Sequence, residues 1–156
     1  MKSSLAAGAA IAAVAATALA GCSYVNPITT KDNYAASDGT QLVVGDIEAL
    51  NLIIVAEAEG SAATMIGTLQ NSSTEDISVQ LVFDGETAND VTVPAGSAAR
   101  LGPDEGATEV SGTAPAAPGL MTEVTIVSDA EGGYYVDVPV MDATLPEYQP
   151  VLDAIG

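Results

Sequence analysis

Short runs of alternating apolar and polar residues dominate the chain after its first 40 residues. The clearest run is DISVQLVF, in which Ile77, Val79, Leu81 and Phe83 fall on one face, and Ser78 and Gln80 fall on the other. Side chains of a β-strand point alternately to opposite faces, so this pattern predicts a strand with one buried face. Similar runs recur roughly every 8–14 residues, with turn-forming residues between them. The sequence therefore predicts an all-β protein, an antiparallel β-sandwich of about seven or eight strands.

Further strands are predicted on both sides of this run. LNLIIVAE is apolar on both faces and predicts a central strand, whereas ATMIGTLQN predicts a strand that ends at Asn71. DVTVPAGSAARLG predicts two strands with a turn at residues 94–96, and VTIVSDAEGGYYVDVPV predicts a hairpin that turns at DAEGG. Residues 102–119 predict a long loop with one short strand near residues 108–110. The tail either packs on the sandwich edge or stays loose.

The first 22 residues resemble the leader of a bacterial lipoprotein. Lys2 precedes an uncharged apolar run, and the run ends in Leu19-Ala20-Gly21-Cys22. These four residues match the lipobox of that family, [LVI]-[AST]-[GA]-C. The resemblance implies that Leu19, Ala20 and Gly21 are recognised by a signal peptidase, and that the Cys22 thiol carries a diacylglycerol. Because two acyl chains anchor a protein stably, this resemblance implies attachment to the outer face of the cytoplasmic membrane.

Four segments are expected along the chain. Residues 1–21 form a signal peptide, residues 22–40 a lipidated N-terminus with a flexible tether, residues 41–144 the β-sandwich domain, and residues 145–156 a C-terminal tail. Cys22 is the one cysteine among 156 residues, so the domain has no disulfide within the chain.

The charge of the chain is strongly negative, with 21 acidic residues against three basic ones. A polyanion repels phosphate backbones, so we expect no nucleic-acid partner. The acids are explained either as a solvated extracytoplasmic surface or as a surface for divalent cations or a basic partner.

The sequence contains no recognisable set of catalytic residues. The chain has no histidine, which removes the commonest general base and the commonest metal ligand. Lys31 lies in the predicted tether, and no GxSxG or phosphate-binding glycine motif is present. We therefore expect a protein that is not an enzyme, with no cofactor besides the lipid on Cys22.

Two sets of residues are candidate metal ligands. Met121 and Met141 provide soft thioethers, which suit Cu(I), and both are predicted on the outer faces of their strands. Asp84, Glu86 and Asp90 cluster in FDGETAND and provide the oxygen ligands that Ca²⁺ prefers, although their spacing is not that of an EF-hand.

A family resemblance extends over most of the predicted domain. Asp38-Gly39, Val44-Gly45-Asp46, the GTLQN strand end and Pro94-x-Gly96 follow one another in this order. The chain resembles small actinobacterial lipoproteins whose exported domain is similar to the PCu(A)C copper chaperones. The resemblance implies an immunoglobulin-like sandwich. Copper chaperones of that family bind Cu(I) with His and Met at set spacing, and this chain has neither the histidines nor that methionine spacing.

The leading functional hypothesis from the sequence is a lipid-anchored, non-catalytic binding or assembly module of the cell envelope, with an unidentified envelope protein as partner. The alternative is a metal-handling lipoprotein that binds Cu(I) through methionines or Ca²⁺ through acidic loops.

Overall fold

The computed structural model describes residues 37–129 and 131–155, which form nine strands and one short helix. The predicted leader, Cys22 and residues 22–36 of the predicted tether lie outside the described residues. The elements are β1 Thr40–Val44, β2 Ile47–Ala56, β3 Ala62–Asn71, β4 Ile77–Val82, β5 Asn89–Val93, β6 Ala98–Leu101, β7 Ser111–Thr113, β8 Met121–Ser128, β9 Gly132–Met141 and α1 Gln149–Ile155. No helix within these described ranges is both long and apolar enough to cross a bilayer.

The strands form one mixed sheet that folds over on itself. Its order is β5–β4–β8–β9–β2–β3–β6, with β1 paired to β2 and β7 paired to β3. Neighbouring strands are antiparallel except β2 and β9, which pair in parallel at Ile54–Val140 and Val55–Met141. The edge strands β5 and β6 also touch, so the sheet nearly closes into a barrel. The expected all-β fold is confirmed; β1 is an additional strand, and the β2–β9 pair departs from the expected antiparallel pairing.

The main core lies between the two layers and uses the faces that the alternation predicted. Ile77, Val79 and Leu81 of β4 are buried together with Val138 and Val140 of β9. The predicted hairpin is confirmed, because β8 and β9 pair from Met121–Pro139 to Ser128–Gly132. The predicted break at residues 94–96 separates β5 from β6, and Gly96 there has a φ of 60°.

A β-bulge in β2 moves its apolar residues from one face to the other. The register with β3 shifts between Leu50 and Ile53, and Asn51 has a φ of 53°. Ile47 and Ala49 face the main core before the bulge, whereas the residues that do so after it are Leu52, Ile54 and Ala56. One extra residue in a strand reverses the side on which each later side chain points.

Two glycines accommodate this bulge. The Gly39 N–H donates to Asn51 Oδ1 at 3.0 Å. A Cβ at Gly39 would lie 2.5 Å from that same oxygen, and a Cβ at Gly67 would lie 3.0 Å from the carbonyl oxygens of Leu50 and Asn51. Gly67 also has a φ of 148°, a backbone conformation that favours glycine.

The bulge creates a second, smaller apolar cluster on the outer face of β2. Ile53 and Val55 are buried there with Tyr148, and Val151 and Leu152 of α1 pack around them. The predicted central strand is thus buried on both faces because the C-terminal segment covers one of them. The tail therefore packs on the sandwich and is not loose, but it lies on a face of the sheet rather than on the expected edge.

The loop of residues 102–119 is held by side chains of neighbouring elements. Its strand is Ser111–Thr113, three residues later than expected, and Thr108 makes one parallel bridge with Leu101. Asn89 determines this position, because its Oδ1 accepts from Ser111 N–H and its Nδ2 donates to the Ser111 carbonyl, both at 3.1 Å. The Asn89 amide thus makes the two hydrogen bonds that a neighbouring strand would make. Such a contact produces no alternation of apolar and polar residues in the sequence.

Replacing Asn71 with alanine is expected to lower the free energy of unfolding by about 3 kcal/mol. Asn71 is 1% exposed, and its Nδ2 donates to the carbonyls of Val93 at 3.0 Å and Glu75 at 2.7 Å. Its Oδ1 accepts from Ser73 N–H at 2.9 Å. Alanine leaves these backbone groups without partners, and urea denaturation measures the loss. The matched control is Gln70→Ala at the exposed neighbouring position; equal losses for both variants would contradict this role of Asn71.

Candidate functional site

Two outward-facing methionines, Met121 and Met141, occupy neighbouring positions on one face of the sheet. Met121 begins β8 and pairs with Pro139, and Met141 lies two residues beyond Pro139 on β9. Alternate residues of a strand share a face, so Met121, Pro139 and Met141 point to the same side. Diagonal neighbours across an antiparallel pair have Cα atoms about 7–8 Å apart. The register therefore places the two thioethers within one small region.

The environments of these two methionines differ. Met121 is 55% exposed. Met141 is partly buried, because it packs against the cluster of Ile53, Val55 and Tyr148. A third methionine, Met65, is fully buried in the main core and fills space there.

The acidic residues of FDGETAND are engaged in separate structural contacts. Asp84 Oδ1 accepts from Glu86 N–H at 2.9 Å and Thr87 N–H at 2.6 Å, and its Oδ2 accepts from Thr113 N–H at 3.2 Å. Desolvation raises the pKa of Asp84, but these hydrogen bonds outweigh it and lower the pKa to about 2. Asp84 thus connects the β4–β5 turn to β7.

The other two acids do not complete a cation site around Asp84. Asp90 Oδ1 accepts from Gln80 Nε2 at 2.9 Å on the exposed side of β5, and Glu86 is exposed. Within residues 37–129 and 131–155, no three carboxylates, or other His, Cys, Asp or Glu side chains, are grouped to hold a metal ion. The structure therefore does not assemble the predicted Ca²⁺ ligands.

An acidic cleft that the sequence did not predict lies at the end of the sandwich near the β8–β9 turn. It has a volume of about 320 Å³. Its lining residues are Asp46, Ser73, Glu75, Asp76, Ile77, Ser78 and Asp129. Some of these acids organise turns, since Asp76 Oδ1 accepts from Ala95 N–H at 2.8 Å. Three separate turns supply the acids, and no spacing in the sequence connects them.

The solved structures that are similar to this chain share one fold. No protein-family model and no curated protein sequence matches the chain. Among solved structures, the chain is similar to an apo PCuAC domain from PmoF1, with a TM-score of 0.52 and 19% identity over 66% of this chain and 99% of that one. It is also similar to a copper-bound PCuAC domain from PmoF2, with a TM-score of 0.50 and 21% identity over 66% of this chain and 98% of that one. An apo PCuAC domain of PmoF2 matches with a TM-score of 0.50 and 18% identity, over 68% and 98% of the two chains. The chain therefore has the immunoglobulin-like, PCuAC-type β-sandwich fold.

Proposed function

We propose that this protein is an extracytoplasmic metal-handling domain that carries Cu(I) as cargo on the thioethers of Met121 and Met141. The observation that carries the proposal is the placement of these two methionines on one face of the β8–β9 hairpin. The similarity in fold to a copper-bound PCuAC domain supports it. These findings favour metal handling over the assembly module that was the leading hypothesis from the sequence.

The donor set suits Cu(I) rather than a harder ion. Thioether sulfur is a soft, neutral ligand, which selects Cu(I) over Ca²⁺ or Mg²⁺. No histidine is present anywhere in the chain, so no imidazole completes the set. Two thioethers leave coordination positions open to a ligand from another molecule. Such a site favours the transfer of the ion over its permanent retention.

The affinity for Cu(I) is expected to change by less than about twofold between pH 7 and pH 5, because a thioether does not compete with protons for the metal. Competition with a chromophoric Cu(I) chelator measures the affinity, after correction for protonation of the chelator. A copper chaperone with histidine ligands serves as the control and should weaken at least about tenfold over the same range, since imidazole titrates near pH 6.5. A comparable loss in this protein would show that a titratable group holds the metal.

The proposed location is the outer face of the cytoplasmic membrane, with a diacylglycerol on Cys22 as the anchor. Leu19-Ala20-Gly21-Cys22 supports this proposal through its match to the lipobox. Together with the tether, such an anchor would hold a cargo site close to membrane-bound recipients while the domain stays in the aqueous phase.

A binding or assembly module of the envelope remains a second candidate function. Leu120 and Met121 are adjacent at the start of β8 and expose 56% and 55% of their surface. Exposed apolar side chains beside each other favour contact with another protein. The Cu(I) titration separates the two candidates, because an assembly module requires no metal at Met121.

A further inference from the structure

The C-terminal strap, which we define as residues 145–155, covers the second apolar cluster. This cluster is separate from the main core, and its buried members are Ile53, Val55 and Tyr148. Two of these residues come from β2 and the third from the strap. Met141 and Ile66 pack at the edge of the same cluster. The main core contains no residue of the strap, so removal of the strap would leave that core in place and would open the cluster against which Met141 packs.

The helix of the strap has little stability of its own. Its helix α1 has seven residues and none of them is fully buried. A helix of this length is not stable by itself in water. It also has no acidic residue in its first turn and no basic residue in its last turn that would stabilise its dipole. The position of the strap therefore depends on the side chains that connect it to the sheet.

Tyr148 is the main connection. It is 6% exposed, and its hydroxyl donates to Asp38 Oδ2 at 3.1 Å. Burial, followed by the hydrogen bond and the negative charge of Asp38, raises the pKa of Tyr148 to about 12. The phenol thus remains a hydrogen-bond donor at physiological pH. Asp38 lies two residues before β1, so this bond joins the C-terminal strap to the start of the domain.

We propose that the C-terminal strap is a gate over Met141, which closes on the metal-free protein and lifts before Met141 binds a soft metal ion. In the closed state, the Met141 side chain packs against the cluster that Tyr148 completes, while Met121 is exposed to solvent. The thioether has to leave that apolar cluster in order to share an ion with Met121. The claim that opening allows metal to bind rests on the proposed function, whereas the claim that the strap opens and closes does not.

Coupling between the gate and the metal follows from thermodynamic linkage. If closure of the strap opposes metal binding, then metal binding opposes closure by the same factor. Loading with metal would then expose Ile53 and Val55, which are buried while the strap is closed. The metal-loaded protein would then expose an apolar surface that the metal-free protein buries.

The test uses oxidation of methionine in the full-length, metal-free chain, purified in detergent. Dilute hydrogen peroxide converts an accessible thioether into its sulfoxide, and peptide mass spectrometry follows each methionine separately. In the unmodified protein, Met121 should oxidise fastest, Met141 more slowly and Met65 most slowly. In Tyr148→Phe, which keeps the ring and removes the hydrogen bond, Met141 should oxidise about three- to tenfold faster. Met121 and Met65 should not change.

Two further variants make the result specific. Tyr135→Phe makes the same chemical change at a tyrosine that is 68% exposed on β9, and it should leave the rate at Met141 unchanged. Asp38→Ala removes the acceptor but leaves the strap sequence intact, and it should reproduce the increase of Tyr148→Phe. Faster oxidation of Met65 would report general unfolding. An unchanged rate at Met141 in both Tyr148→Phe and Asp38→Ala would overturn the gate.

A Cu(I) titration of the same variants separates this inference from the proposed function. If the gate and the copper role are both correct, Tyr148→Phe should raise the Cu(I) affinity by the same factor as the oxidation rate of Met141. Faster oxidation without any Cu(I) binding supports the gate and overturns the copper role. Normal Cu(I) binding with unchanged oxidation in all variants overturns the gate alone.

Discussion

Replacing Met121 and Met141 together with leucine is expected to abolish Cu(I) binding. Leucine keeps the volume and apolar character of methionine but has no donor atom. The affinity should fall at least about 100-fold, because even the loss of a group that only supports a metal ligand costs about 10- to 100-fold. Competition with a chromophoric Cu(I) chelator measures the loss. Each single variant should already show most of it, since one thioether alone cannot chelate the ion.

Met65→Leu is the matched control for this experiment. It removes the same sulfur atom from a methionine that is fully buried in the main core. Its Cu(I) affinity should equal that of the unmodified protein, and thermal denaturation should show that all variants are folded. Retention of full affinity in the double variant would place the metal elsewhere and would remove the main support for the proposed function.

Replacing Cys22 with serine is expected to prevent both lipid attachment and removal of the leader. A serine hydroxyl does not replace the thiol as acceptor of the diacylglycerol in the lipobox reaction. The unmodified protein should have the mass of residues 22–156 plus the lipid, and it should fractionate with membranes. The variant should keep residues 1–21 and carry no lipid. Intact-protein mass spectrometry of membrane and soluble fractions measures both properties.

Ser23→Ala is the control, because it changes a neighbouring side chain of the same chemical type as the introduced serine and leaves the four lipobox residues unaltered. It should be processed and anchored like the unmodified protein. A Cys22→Ser protein that is cleaved after residue 21 and remains on membranes would show that another feature holds the chain there.

Much of the fold was predictable because alternation reports directly which side of a strand is buried. Ile77, Val79 and Leu81 are buried as their alternation predicted. The β8–β9 hairpin and the turn at residues 94–96 were predictable for the same reason, together with local turn chemistry. β1 was not predicted, because it has five residues and only Val44 among them is buried. The strand Ser111–Thr113 was misplaced by three residues, because its position depends on Asn89, which is distant in sequence.

The candidate site was predictable only as a list of chemical types. The sequence indicated that Met121 and Met141 face outward and that histidine is absent. Their proximity required the register of β8 on β9, which pairs Met121 with Pro139. The acids of FDGETAND had the composition of a cation site, but backbone N–H groups occupy both oxygens of Asp84. Competition from the backbone for a carboxylate is not visible in composition or spacing.

The sequence by itself determined the all-β class, the main core and the ligand types that are chemically possible, because these follow from local periodicity and composition. Only the tertiary structure decided what lies on the outer face of β2. The bulge at Asn51 turns Ile53 and Val55 outward, and the strap then covers them with Tyr148. Tyr148 is connected to Asp38 across 110 positions of sequence. Interactions over such distances depend on how the strands assemble, and no local pattern in the sequence contains them.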